Sequence, residues 1–290
     1  MPPLVLLDFD GTITTADTLD ALVAAATARR SASLPALAPG TWDAVVAAFL
    51  ADYDAHVAAY RPAEADRRTV DEELAFLESL KPVEQMSLAR VDVSGVFAGF
   101  GKGEFEGFGQ EAVGSGEVKV RGGFGGFVGE VMRRGAGVGV VSVNWSGEWV
   151  RGVVGAAGPG QGVDVRMVNE IRGLEGVIEG PEGFEGTVVT AGDKLLAARK
   201  LVGEWRETGG GRDGVWVYFG DSATDLGCLL EATLGVVMAD GAQSTLLKAL
   251  GRLGFDVPHV GSYVGEPGLV WARDYEEVVK SRLLERVSWA

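Results

Sequence analysis

Leu4 to Leu7 is a wholly apolar run that ends in Asp8-Phe9-Asp10-Gly11. A continuous run of this kind, without apolar/polar alternation, is the pattern of a strand buried on both faces in the middle of a parallel sheet. Two similar runs, Val138 to Val141 and Val215 to Phe219, end at Ser142 and at Gly220-Asp221, the second after a glycine-rich loop over 209–214. Leu234 to Met238 reads as a fourth strand. Helix-like segments lie between them, for example Lys194 to Arg206 and Thr224 to Ala232. Strands alternating with helices predict an α/β fold, a doubly wound, Rossmann-like parallel sheet. Ligands in such sheets bind beyond the carboxyl ends of the strands, so Asp8, Ser142 and Asp221 are expected to converge on one crevice.

From Thr15 to about Ser115 the pattern changes. Leu19, Leu22, Val23 and Ala26, then Trp42, Val45, Val46 and Phe49, recur at helical spacing in a segment rich in Ala, Leu, Glu and Arg. The division this predicts is a core of residues 1–14 and 116–290 carrying an all-helical cap over 15–115. The alternative is that the same helices simply cover the sheet.

Composition narrows the chemistry. With a formal charge of −15, the surface repels nucleic acid and anionic membranes, so neither is expected as a partner. One cysteine, Cys228, excludes an internal disulfide and a multi-cysteine metal site. With only His56 and His259 available, a histidine-built zinc or iron centre is hard to assemble; a metal held by carboxylate oxygens favours magnesium. The start, MPPLVLLDFD, has no basic region before its apolar run, and a soluble, reducing, cytoplasmic setting is expected. The chain contains 44 glycines, most of them between Gly95 and Gly186, many inside helix-like or strand-like segments where each costs roughly 0.5–1 kcal/mol against alanine.

Four segments carry candidate chemistry. In Asp8-Phe9-Asp10-Gly11-Thr12, two aspartates at a strand end allow one carboxylate to attack phosphorus while the other handles the proton; a plain strand–turn junction has the same composition. Ser142-Val143-Asn144 offers a hydroxyl and backbone N–H groups at a helix start, which suits a phosphate and equally an ordinary helix cap. Lys194 opens a helix after Gly192-Asp193, and a lysine there neutralises a phosphoryl oxygen or, taken alone, is a solvated surface residue. Gly220-Asp221-Ser222-Ala223-Thr224-Asp225 supplies a further carboxylate for a metal, with Asp225 as a loop anchor, or a helix N-cap.

Taken together and in this order, the four segments resemble the motifs of the haloacid dehalogenase superfamily. The resemblance implies Asp8 as a nucleophile that forms an aspartyl-phosphate and Asp10 as general acid/base. It implies magnesium on Asp8, Asp221 and the backbone carbonyl of Asp10, supported by Thr12 and Asp225, with Ser142, Val143, Asn144 and Lys194 holding the phosphoryl group. An acid at position 10 favours phosphoryl transfer over carbon–halogen cleavage. The helical insertion is similar to the cap of phosphoserine phosphatases, which implies substrate contacts from Asp17 and Arg90, although the spacing at Arg90 is one residue short. That branch carries Ser-Gly-Gly where this chain has Ser142-Val143-Asn144, which argues against phosphoserine itself. The expected function is hydrolysis of a small phosphorylated metabolite by a monomer or homodimer. The alternatives are a phosphomutase or phosphotransferase, and a non-catalytic phosphate binder of the same fold. Five tryptophans (Trp42, Trp145, Trp149, Trp205 and Trp216) are expected to pack, not to stack on ligands, and His259 to be structural.

Overall fold

All four residues of β1 (Leu4–Leu7) are buried, and β1 pairs in parallel on both sides, with β2 (Val138–Ser142) and β6 (Trp216–Gly220). The computed structural model describes residues 4–38, 40–158, 162–207, 215–265 and 268–286; the glycine-rich loop 209–214 lies outside them. With β3 (Asp164–Val168), β7 (Leu234–Met238) and β8 (Gly268–Ala272), these strands form a six-stranded parallel sheet in the order β3-β2-β1-β6-β7-β8. A small antiparallel hairpin, β4 (Glu170–Arg172) with β5 (Val177–Glu179), stands beside it. The four expected strands are all present. The two edge strands escaped the sequence reading: Asp164 and the exposed Arg166 interrupt the apolar residues of β3, and β8 is a short run that begins with an exposed glycine.

Between β1 and β2 lie α1 (Leu19–Ser33), α2 (Thr41–Ala59), α3 (Val70–Ser79), α4 (Lys81–Ser94), α5 (Glu104–Ser115) and α6 (Phe124–Arg133). Every described element between residues 15 and 115 is therefore helical. After β2 come α7 (Gly147–Ala156), α8 (Ala191–Glu207), α9 (Leu226–Glu231), α10 (Thr245–Arg252), α11 (Tyr275–Lys280) and α12 (Leu283–Arg286). Local chemistry sets several boundaries. Thr69 and Glu72 form a reciprocal capping box at the start of α3, and Pro82 sits in the first turn of α4, where its missing N–H costs nothing.

The pleat sends alternate residues to opposite faces, and each face has its own apolar cluster. Val5, Leu7, Val217 and Phe219 pack with α1, α5, α6 and α7, whereas Leu4, Leu6, Trp216 and Tyr218 pack with α3, α8 and α9. Of the five helices that precede α6, only α2 has no buried residue. Some helical glycines explain themselves here. A Cβ on Gly152 of α7 would stand 2.1 Å from the Glu106 carbonyl oxygen, and one on Gly109 of α5 would stand 2.5 Å from that of Trp149. Backbone meets backbone where α5 crosses α7, so alanine is excluded despite its better helix propensity.

No described helix is long and apolar enough to cross a membrane. His259 bonds Glu277 at 2.9 Å and stacks edge-on against Trp271, Cys228 is buried, and both serve packing.

Candidate active site

Because β2, β1 and β6 are neighbours, Ser142, Asp8 and Asp221 emerge side by side at the carboxyl edge of the sheet. They line one cavity of about 1150 Å³, together with Asp10, Val143, Asn144, Lys194 and Asp17. Asp8 continues the strand, its N–H donating to the Phe219 carbonyl at 2.8 Å, which fixes the direction of the carboxylate. Gly11 then turns the chain with φ +70°, and a Cβ there would fall 2.1 Å from Asp221 Oδ2. Only glycine fits both the left-handed backbone and the space.

Lys194 is the hinge of the electrostatics. Its Nζ lies 2.7 Å from Asp8 Oδ1 and 2.7 Å from Asp225 Oδ1, and all three side chains are almost wholly buried. Burial alone would lower its pKa; Asp225 and Asp8 outweigh that and hold the ammonium above its ordinary range. Asp225 is itself fully engaged. Its Oδ1 also accepts from Tyr218 Oη at 2.7 Å, and its Oδ2 accepts from the N–H groups of Asp221 and Ser222, both at 3.0 Å.

The carboxyl oxygens of Asp8, Asp221 and Asp225 come within 4.8 Å of one another. Since Asp225 is used by its other partners, Asp8 and Asp221 are the two that face outward to a ligand. Burial and the nearby Asp225 push Asp8 well above the usual carboxylate range despite Lys194. The same two causes raise Asp221 to about 7. Two hard, crowded oxygen donors whose charge is under-compensated fit a divalent cation of the magnesium type. Thr12 donates to Asp221 Oδ1 at 3.3 Å.

Asp10 occupies a separate environment. Its Oδ1 accepts from Thr18 N at 2.9 Å and Thr18 Oγ1 at 2.7 Å, and its Oδ2 accepts from Asn144 Nδ2 at 2.8 Å. Burial and Asp17 raise its pKa to about 6, against the pull of those donors. Asn144 cannot flip its amide, since its Oδ1 already accepts from Ser146 N at 3.2 Å. Trp149 is fully buried, as a packing residue should be, yet its Nε1 also donates to Thr18 Oγ1 at 3.0 Å. A chain Trp149–Thr18–Asp10–Asn144 thus fixes the second aspartate from both sides. The amide of Asn144 is directed to Asp10, and both Val143 and Asn144 line the cavity.

Several of these partners were not visible in the sequence. Thr18, Tyr218 and Asn169 carry no motif. Buried Asn169 donates to the carbonyls of Val143, Asn144 and Val188 and accepts from Val188 N, tying the loop after β2 to the approach to α8. Asp193 receives Lys81 at 2.6 Å, and Thr190 donates to Glu78 at 2.7 Å, so the junction of α3 and α4 is fastened to the turn that presents Lys194.

The two residues expected to contact substrate divide. Asp17 reaches the cavity rim, where its carboxylate caps the start of α1 through Leu19 N at 2.8 Å. Arg90 is not among the cavity-lining residues; it pairs with Asp52 of α2 and borders a separate shallow groove with residues of α2 and α4. The structure therefore does not bring Arg90 to the site. The cation that does line the cavity from this part of the chain is Arg67, buried and bonded to Glu73 at 2.8 Å.

No family model and no curated protein matches the sequence. Among solved structures, the chain is similar to a substrate-bound phosphoserine phosphatase complex (16% identity, TM-score 0.51) over 97% of this chain and 98% of the other. A phosphoserine phosphatase in apo form is similar at 16% identity and TM-score 0.50, with the same coverage. The likeness shows a fold shared with these structures over nearly the whole of both chains.

Proposed function

We propose that the chain is a magnesium-dependent phosphatase that hydrolyses a small phosphate monoester through an aspartyl-phosphate on Asp8. The observation that carries this reading is the division of labour between two aspartates only two residues apart. Asp8 is clamped by Lys194 opposite Asp221, and Asp10 is held apart by Thr18 and Asn144. Titratable groups placed in different environments are how one site runs nucleophilic and acid–base chemistry together.

In the first step an Asp8 oxygen attacks phosphorus, and Asp10, whose pKa of about 6 allows it to carry a proton near neutrality, gives that proton to the departing alcohol. In the second, Asp10 takes a proton from water, which attacks the phosphorus of the aspartyl-phosphate and frees Asp8 and inorganic phosphate. Lys194, released in part from Asp8 as that carboxylate is esterified, offsets the charge on the phosphoryl oxygens. Ser142 and the backbone of the 142–144 loop hold the same group. Asp8 and Asp221 would hold magnesium, with the Asp10 carbonyl as the third protein ligand; the ion would supply charge neutralisation at the phosphoryl group. We assign the protein to the cytoplasm, in keeping with its one free, buried thiol.

Phosphate release from a panel of small monoesters, with magnesium and again with excess EDTA, tests the proposal. Magnesium-dependent release supports it. Binding of esters without release, or isomerised ester as the product, contradicts it.

A further inference from the structure

The cavity extends well beyond the phosphate end, between α2, α3 and α10, and that region must receive the alcohol part of the ester. Its apolar wall is Tyr53, Val57, Phe76 and Leu77 from the helical insertion and Leu246 from α10. Among the described residues, four cations line the cavity: Arg67, Arg121, Lys194 and Arg252. Each is already spoken for within the chain.

Arg67 forks onto Glu73, with Nε to Oε2 at 2.8 Å and Nη2 to Oε1 at 3.4 Å. Arg252 donates to the same carboxylate at 2.9 Å, and also to the carbonyls of Glu64 and Arg67. Arg121 donates to Asp240 at 3.0 Å and to the carbonyls of Arg273 and Gly11 at 2.7 and 2.6 Å, while its remaining Nε is buried out of reach. Lys194 belongs to Asp8 and Asp225 and becomes available to the phosphoryl group alone. Asp17 and Glu64 add further carboxylates to the same cavity wall: Asp17 accepts from Leu19 N, and the largely exposed Glu64 lies 3.9 Å from the Arg252 guanidinium.

A carboxylate or a second phosphate on the alcohol part would lose water at this wall and, among the described residues, gain no free cation in exchange. We infer that the substrate is a phosphate monoester whose alcohol part carries no anionic group. The inference rests on the phosphatase reading, and it separates this chain from an enzyme built to hold a carboxylate beside the phosphate.

O-phosphoethanolamine and O-phosphoserine differ by one carboxylate, as do phenyl phosphate and 4-carboxyphenyl phosphate. With magnesium present, kcat/KM should favour the carboxylate-free member of each pair by roughly tenfold or more, the scale of one uncompensated charge at a partly buried site. Val57→Lys, which places a free ammonium on the half-exposed wall of α2, should narrow both ratios. Equal or preferred turnover of the carboxylate-bearing members overturns the inference while leaving a phosphatase. An absence of turnover with all four esters removes the phosphatase reading, and the inference with it.

Discussion

Replacing Lys194 by methionine, which keeps the unbranched stem of the side chain and removes the ammonium, should be the most destabilising single change in the site. Asp8 is 3% exposed and Asp225 fully buried, each 2.7 Å from the ammonium. Removing one partner of a buried ion pair leaves an uncompensated charge and costs about 3–5 kcal/mol. That is a large part of the 5–15 kcal/mol by which a domain is typically stable. The cost should depend on pH. Burial already raises the Asp8 carboxyl, and losing Lys194 raises it further. A carboxyl raised in the folded state contributes stability that is fully present below its unfolded pKa and is lost as pH rises through the folded one. The deficit of Lys194→Met relative to wild type should therefore be greatest near pH 8 and shrink toward about pH 5. Adding Asp225→Asn should recover part of it by removing one of the stranded charges. Urea unfolding in EDTA at several pH values reads all three quantities. A deficit below about 1 kcal/mol at pH 8, or one that does not vary with pH, refutes the idea that Lys194 is the buried counter-charge of two carboxylates.

Three further outcomes are expected. Gly152→Ala pushes a methyl group against the Glu106 carbonyl and should lower stability by about 1–3 kcal/mol by urea unfolding; an unchanged midpoint would show that α5 and α7 part easily. Asn144→Ala frees one oxygen of Asp10 and should slow alkyl esters, which need a proton on the leaving group, about tenfold more than para-nitrophenyl phosphate, which does not; equal slowing of both classes would make Asn144 merely structural. Without metal, Asp221 at about 7 should stabilise the fold below its unfolded pKa and withdraw that stability as pH rises through 7. Asp221→Asn should thus raise the melting temperature in EDTA at pH 8 and lose the advantage near pH 5, and no such convergence would contradict the crowding of carboxylates.

The central sheet was legible because doubly buried strands leave unbroken apolar runs, and the polar residues ending those runs fell on adjacent strands as the topology requires. Edge strand β3 was not, since Asp164 and the exposed Arg166 break its apolar run, and β8 offers only the short run Leu269 to Ala272 after an exposed glycine. The first ring of site residues was legible as motifs. The groups that orient them were not: Thr18, Asn169 and Tyr218 act through hydrogen bonds formed only once the chain has folded. Asn144 was legible as a residue of the loop after β2, but the direction of its amide toward Asp10 depends on a bond from Ser146 N that no sequence pattern announces. Arg90 illustrates the converse: correct chemistry at nearly correct spacing, on a helix whose arginine turns to Asp52 and away from the cavity.

The most direct test of the account is the covalent intermediate. The protein is mixed with magnesium and para-nitrophenyl phosphate, quenched in acid during turnover, digested at low pH and analysed by mass spectrometry. The account predicts the mass of one phosphoryl group on the peptide containing Asp8, discharged by hydroxylamine and missing from Asp8→Asn, which should also be inactive. Turnover without any phosphorylated Asp8, or near-normal activity in Asp8→Asn, would contradict it.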